Sequence, residues 1–221
     1  MQAPFSPMQF LLLVFIFMLC VIVLYMGVLT LALDKLGLST HSAMLLLGST
    51  LLGSTINMPL FQISAEAPPD GEIQKMQGLL FGRPLPFTGK TIVAINVGGA
   101  LIPIAFSIYL ASSNRLPPVQ LLLAIAIVTA VCYLTSRPIR GLGIGMPIFV
   151  APLAAALTAV TIAPEHSAPL AYICGTLGVL IGADLMRLND IRKIGAPVAS
   201  IGGAGTFDGI FLTGIVAVLL A

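Results

Sequence analysis

Two stretches decide how this chain is read: Leu177-Gly-Val-Leu-Ile-Gly-Ala-Asp184 and Ser200-Ile-Gly-Gly-Ala-Gly-Thr-Phe-Asp208-Gly-Ile-Phe-Leu-Thr-Gly214. Each places an aspartate inside, or at the edge of, a segment that otherwise has the composition of a membrane span. A carboxylate at membrane depth costs roughly 2.5–3.5 kcal/mol on insertion scales, so it is rarely retained without a role. The glycines ahead of Asp208 are too dense for a plain spanning helix, because each weakens a helix by about 1 kcal/mol relative to alanine.

The rest of the chain shares that solvent. Charged residues make up 8% of it, against about 25% in ordinary soluble domains. The hydrophobic share is 58% and the mean hydropathy is +1.08. These values imply an all-α polytopic membrane helix bundle, one integral membrane domain over residues 1–221, with the lipid bilayer as its main partner. The basic residues are scattered through loops, so the net charge of +2 gives no footprint for nucleic acid. Cys20, Cys132 and Cys174 lie in apolar runs and read as small buried hydrophobes, not as a disulfide framework. His41 and His166 have no second ligand at helical spacing, so neither a metal nor a cofactor is expected.

The apolar runs predict seven spans with broken or re-entrant glycine-rich segments. The first covers Phe10 to Leu33, lacks the basic start and cleavage site of a signal peptide, and closes at Asp34-Lys35. The second goes from Ser42 to about Phe61, interrupted by Asn57-Met-Pro59. The largest loop, 62–90, follows; it holds the turn signal Pro68-Pro69-Asp70-Gly71 and a cluster of acidic residues, Glu66, Asp70 and Glu72. The third span runs from about Thr91 to Ala111 and the fourth from Val119 to Leu134. The fifth follows Arg137-Pro-Ile-Arg140-Gly and is first glycine- and proline-rich, then alanine-rich. The sixth covers about Pro169 to Asp184, and the seventh starts near Ala196.

Orientation follows from the basic residues in alternate loops. Lys75, Arg83, Lys90, Arg137, Arg140, Arg187, Arg192 and Lys193 fall on one side, Lys35 and Arg115 on the other. This bias puts the N-terminus and the 62–90 loop in the cytoplasm and the C-terminus outside, for a multi-pass protein of the cell (cytoplasmic) membrane. One internal echo stands out: Asn96-Val-Gly-Gly-Ala100 resembles Ser200-Ile-Gly-Gly-Ala204. Spans four apart run in the same direction, so a duplication would be parallel. Close packing through small residues explains both copies without one.

The candidate catalytic residues are Asp184 and Asp208. Candidate binding residues are Asn57, Asn96, Gly202, Gly203, Gly205 and Thr206. With this topology Asn57, Asn96 and Asp184 fall in the cytoplasmic third of their spans and suggest a cavity opening inward. An asparagine in a membrane bundle also serves simply as interhelical glue, worth about 1 kcal/mol. Two carboxylates sharing a dry site split their ionisation, one charged and one protonated. That is the state in which one activates water while the other donates to a carbonyl.

With one aspartate on each of two consecutive late spans, the chain resembles the intramembrane aspartyl proteases, the presenilin, signal-peptide-peptidase and prepilin-peptidase group. The resemblance implies a paired-carboxylate protease acting on a transmembrane-helix substrate, with Asp184 and Asp208 as the pair. It covers about forty residues. That group's marker is Gly-x-Gly-Asp; here Asp208 follows Gly203-Ala-Gly205-Thr-Phe, Asp184 follows Gly182-Ala183, and no Pro-Ala-Leu element comes after. A fuller resemblance rests on Gly182-Ala-Asp-Leu, Gly195-Ala-Pro and Ile201 through Gly214, with Asn57-Met-Pro and Asn96-Val-Gly-Gly-Ala. On these the chain is similar to an uncharacterised family of prokaryotic multi-pass membrane proteins, a domain of unknown function. That likeness supplies no activity.

Geometry divides the readings. Were the seventh span regular helix, Asp208 would stand about 18 Å above its start at 1.5 Å per residue, out of reach of Asp184. The two meet if Ser200–Thr206 is unwound, which is allowed where backbone lines a cavity. The rival activity is ion- or proton-coupled transport of a small solute, with Asp208 as coupling site and Asp184 at an inner gate. A non-catalytic scaffold is the third class.

Overall fold

The computed structural model describes residues 27–66, 89–139, 143–203 and 209–221. Helices dominate: α1 (Gly27–Lys35), α2 (Thr40–Gly53), α3 (Ile102–Ser113), α4 (Pro118–Thr135), α5 (Val150–Ile162), α6 (Ser167–Val179) and α7 (Gly209–Leu220). Two carry wider π-helical turns, Val97–Leu101 leading into α3 and Leu180–Leu185 continuing α6.

α6 is the central helix. It packs against α4, α5 and α7, and Pro169 through Thr176 are all buried. Glycines set how closely its neighbours approach. A Cβ at Gly178 would stand 2.6 Å from Cγ1 of Val128, and one at Gly182 would stand 3.0 Å from Cβ of Cys132 and collide with the Thr129 carbonyl. Gly178 and Gly182 form the small-xxx-small pattern by which membrane helices pack backbone to backbone. Polar ends are capped from elsewhere in the chain. At one end Arg187 donates to the carbonyls of Tyr133 (2.7 Å) and Ser136 (2.9 Å), the C-terminus of α4. At the other, Lys35 donates to those of Val218 (3.4 Å) and Leu219 (3.3 Å) on α7.

The outside of the bundle is apolar. On α4, Val119, Leu122 and Leu134 are exposed by 77%, 67% and 75%, which suits hydrocarbon as solvent and not water. Among the described residues two helices are long and apolar enough to cross a membrane, Pro118–Thr135 and Pro164–Leu185. They coincide with the predicted fourth and sixth spans. A third is reached if α1 and α2, bent by 110°, count as one broken span.

Seven spans are therefore not supported, and the fold is not all-α. The missing length goes into strands. β1 (Asn57–Ser64) takes the predicted end of span two, β2 (Lys90–Asn96) the start of span three, and β5 (Val198–Ile201) the start of span seven. They form one sheet in the order β1-β2-β5, with β1 antiparallel and β5 parallel to β2. A second small sheet pairs β3 (Arg137–Ile139) with β4 (Gly143–Gly145) ahead of α5. At 13 residues α5 measures about 20 Å, short of a 30 Å hydrocarbon core. The predicted 62–90 loop narrows, because β1 runs on to Ser64 and β2 begins at Lys90.

Candidate functional site

β2 runs into the first π-helical turn, and the end of β5 lies against the second. Asn57 and Asn96 face each other across β1 and β2, and Asn96, only 1% exposed, caps the first π turn. Its Oδ1 accepts from the Gly99 N–H at 2.7 Å. Its Nδ2 donates to the Ser54 carbonyl at 2.7 Å and to Oδ1 of Asn57 at 3.0 Å. The amide thus spends both donors and one acceptor inside the protein, as a buried polar group must. Ser200 on β5 donates its hydroxyl to the same Asn57 Oδ1 at 2.6 Å.

Two residues further on, Gly202 donates its N–H to Oδ2 of Asp184 at 2.9 Å. Gly202 has φ +81° and Gly203 φ +89°, the left-handed region that favours glycine. A Cβ at Gly202 would also stand 2.7 Å from Cβ of Ala100 and from the Gly99 carbonyl carbon. Only glycine satisfies both the dihedral and the space. Asp184 itself is half-buried in the second π turn, a distortion often found at functional sites.

Asp184 lies on the wall of a cleft of about 380 Å³. Met146, Ile148 and Phe149 close one side; Ile210, Thr213 and others of α7 close another. Among the described residues Asp184 is the one charged group that lines it. Ile148 and Phe149 are exposed by 82% and 71%, so the cleft opens beside an apolar outer surface.

Asn57, Asn96, Gly202, Gly203 and Asp184 therefore converge on one junction. They do so as strand ends and turns, not as polar groups on separate spans. Asp208, Gly205 and Thr206 lie outside the described residues. The regular-helix alternative for the seventh span is removed on the near side, since Val198–Ile201 is strand and α7 begins at Gly209. The echo Asn96–Ala100 and Ser200–Ala204 acquires a place: both segments straddle ends of parallel neighbouring strands, and Gly202 packs on Gly99 and Ala100.

One residue of the junction escapes the sequence: Ser200 carries no signal beyond its place before Gly-Gly. Arg187, three residues after Asp184, stacks 4.4 Å over the Tyr133 ring and lies 3.1 Å from Asp190. No group of three or more His, Cys, Asp or Glu able to hold a metal occurs among the described residues.

A family model described as protein of unknown function (DUF1614) matches residues 51–220. The chain belongs to that family. The match takes in both sheets, both π turns and the Asp184 cleft. No curated protein and no solved structure matches the chain.

Proposed function

We propose that this DUF1614 member is an intramembrane aspartyl-type hydrolase that cleaves apolar, membrane-embedded polypeptide, with Asp184 and Asp208 as its paired carboxylates. The observation that carries the reading is the position of Asp184 on an open cleft whose other described lining residues, Thr213 apart, are apolar. Described chain on both sides of Asp208 borders the site: Gly202 donates to Asp184, and Ile210, two positions after Asp208 in sequence, lines the same cleft. One carboxylate takes a proton from water as the water oxygen attacks the scissile carbonyl carbon, and the other gives its proton to the carbonyl oxygen. Collapse of the resulting diol breaks the C–N bond and returns a proton to the leaving amine. No metal or cofactor enters the step.

Coupled transport of a small solute, the rival activity, asks for a polar pocket, whereas ten of the twelve lining residues besides Asp184 and Thr213 are apolar. The basic residues Arg187, Arg192 and Lys193 beside the Asp184 end of α6, against Lys35 at the opposite end of α7, favour a site opening to the cytoplasm.

The test is photo-labelling in native membranes by a hydroxyethylene peptide isostere, which mimics the tetrahedral diol. Labelling at Asp184's cleft that disappears in both Asp184→Asn and Asp208→Asn supports a dyad. Labelling indifferent to either substitution, or no labelling of the wild type, overturns it.

A further inference from the structure

We propose that Ser200 is a positioning residue for Asp184, acting through Asn57 on one side and Gly202 on the other; as a statement about catalysis this rests on the hydrolase reading above. Asn96 fixes the argument. Its amide has given both hydrogens away, one to the Ser54 carbonyl and one to Asn57. The Asn57 side chain must therefore present its oxygen, not its NH₂, toward Asn96. A carbonyl oxygen has two lone pairs, and the second faces β5, where only a donor is accepted. Ser200 supplies that donor at 2.6 Å, a short hydroxyl bond.

That bond sits at a mechanically sensitive place. β5 is four residues long, lies at the edge of its sheet, and its ladder to β2 stops at Ile201. Beyond it the chain turns through Gly202 and Gly203, both in the left-handed region. Besides the Gly203 N–H to Ser200 carbonyl contact (3.2 Å) and the seat of Gly202 on Gly99 and Ala100, the Ser200 hydroxyl is, among the described residues, the side-chain tie from the turn to the opposite edge of the sheet. It spans from β5 to β1 over the end of β2, and fixes where the next N–H but one points. That N–H is the donor to Asp184. An N–H held in place acts on a carboxylate without reorganising during the reaction.

Two readouts test this separately. The first is amide hydrogen exchange of the peptide containing residues 198–203 in the full-length protein in lipid nanodiscs. The second is isostere labelling. Ser200→Ala and Asn57→Ala are expected to raise exchange of that peptide at least tenfold and to cut labelling at least fivefold. Ser200→Thr, which keeps the hydroxyl, is expected to restore both, and Ser200→Val, of the same shape, to restore neither. Exchange unchanged in Ser200→Ala, or Thr and Val behaving alike, overturns the proposal. Should exchange follow this pattern while labelling ignores Asp184→Asn, the positioning role stands and the hydrolase reading falls.

Discussion

Replacing Asn96 by aspartate changes one NH₂ to an oxygen at nearly constant shape, and the junction predicts its cost. The new carboxylate still accepts from the Gly99 N–H. It loses the donations to the Ser54 carbonyl and to Asn57 Oδ1, and turns an oxygen on each. A lost hydrogen bond is worth about 0.5–1.5 kcal/mol, and a buried acceptor left without a partner about 1–3 kcal/mol. Ser54 is buried and cannot recruit water, whereas Asn57 is exposed and can. Two lost bonds and one stranded acceptor sum to about 2–6 kcal/mol. For a chain of this size each kcal/mol moves the midpoint by about 2–4 °C, so a drop of roughly 4–24 °C is expected. Cys132 and Cys174, both 0% exposed, give the assay: a thiol-reactive fluorogenic maleimide reports their release on heating, with Cys20 replaced by serine. Asn57→Asp is the control. It keeps an acceptor for both Asn96 and Ser200 and is expected to cost under about 1 kcal/mol. A neutral Asn96→Asp, or an Asn57→Asp as costly as it, would refute the donor accounting.

Four further outcomes follow from the packing and the charges. Gly182→Ala drives a methyl group into the Thr129 carbonyl and to 3.0 Å from Cys132; the same thiol assay is expected to register a loss of about 1–3 kcal/mol. Gly48→Ala, on α2 with nothing within 4 Å of the new Cβ, is expected to be neutral or stabilising by up to about 1 kcal/mol. Arg187→Lys keeps the charge but not the fork that reaches Tyr133, Ser136 and Asp190 together, so it is expected to recover less than half of the midpoint lost in Arg187→Ala. Recovery to the wild-type midpoint would show that charge alone caps α4. Single cysteines at Ser39 and Lys193, in a background without native cysteines, test the orientation: an impermeant maleimide on intact cells is expected to label position 39 and to reach 193 only after permeabilisation, and the reverse pattern would invert the topology.

What the sequence discloses depends on whether an apolar run is one element or two. Pro118–Thr135 is legible because it is helix from end to end, opened by Pro117-Pro118 and uninterrupted. Pro164–Leu185 is legible for the same reason, since its π turn keeps the chain helical up to Asp184. Lys90–Asn96 is not. β2 is the central strand of its sheet, with Val93 and Ala94 buried. A strand buried on both faces has no alternation, so it merges with the apolar helix that follows. The boundary signals were present in two forms: β-branched residues crowded ahead of Gly-Gly, as in Thr91-Ile-Val-Ala-Ile95 and Val198-Ala-Ser-Ile201, and an asparagine three residues before Gly99 in the position of a helix N-cap.

The same ambiguity explains why the site was half-visible. Asn57, Asn96, Gly202 and Asp184 stand out because a polar or conformationally free residue in an apolar run needs a reason, whatever the element. The elements that carry Asn57 and Asn96 are hidden, because strand and helix differ in rise, about 3.3 Å per residue against 1.5 Å, and not in apolar composition. Two Gly-Gly turns then gain a shared purpose. Each lets a strand pass into the helical bundle, and β2 and β5 run in parallel, so the turns leave the sheet side by side. Gly202 seats on Gly99 and Ala100 with no room for a side chain, and from that seat, tied through Ser200 to β1, its N–H meets Asp184. The repetition in the sequence is thus the repetition of a strand exit, and the candidate site lies where the two exits touch.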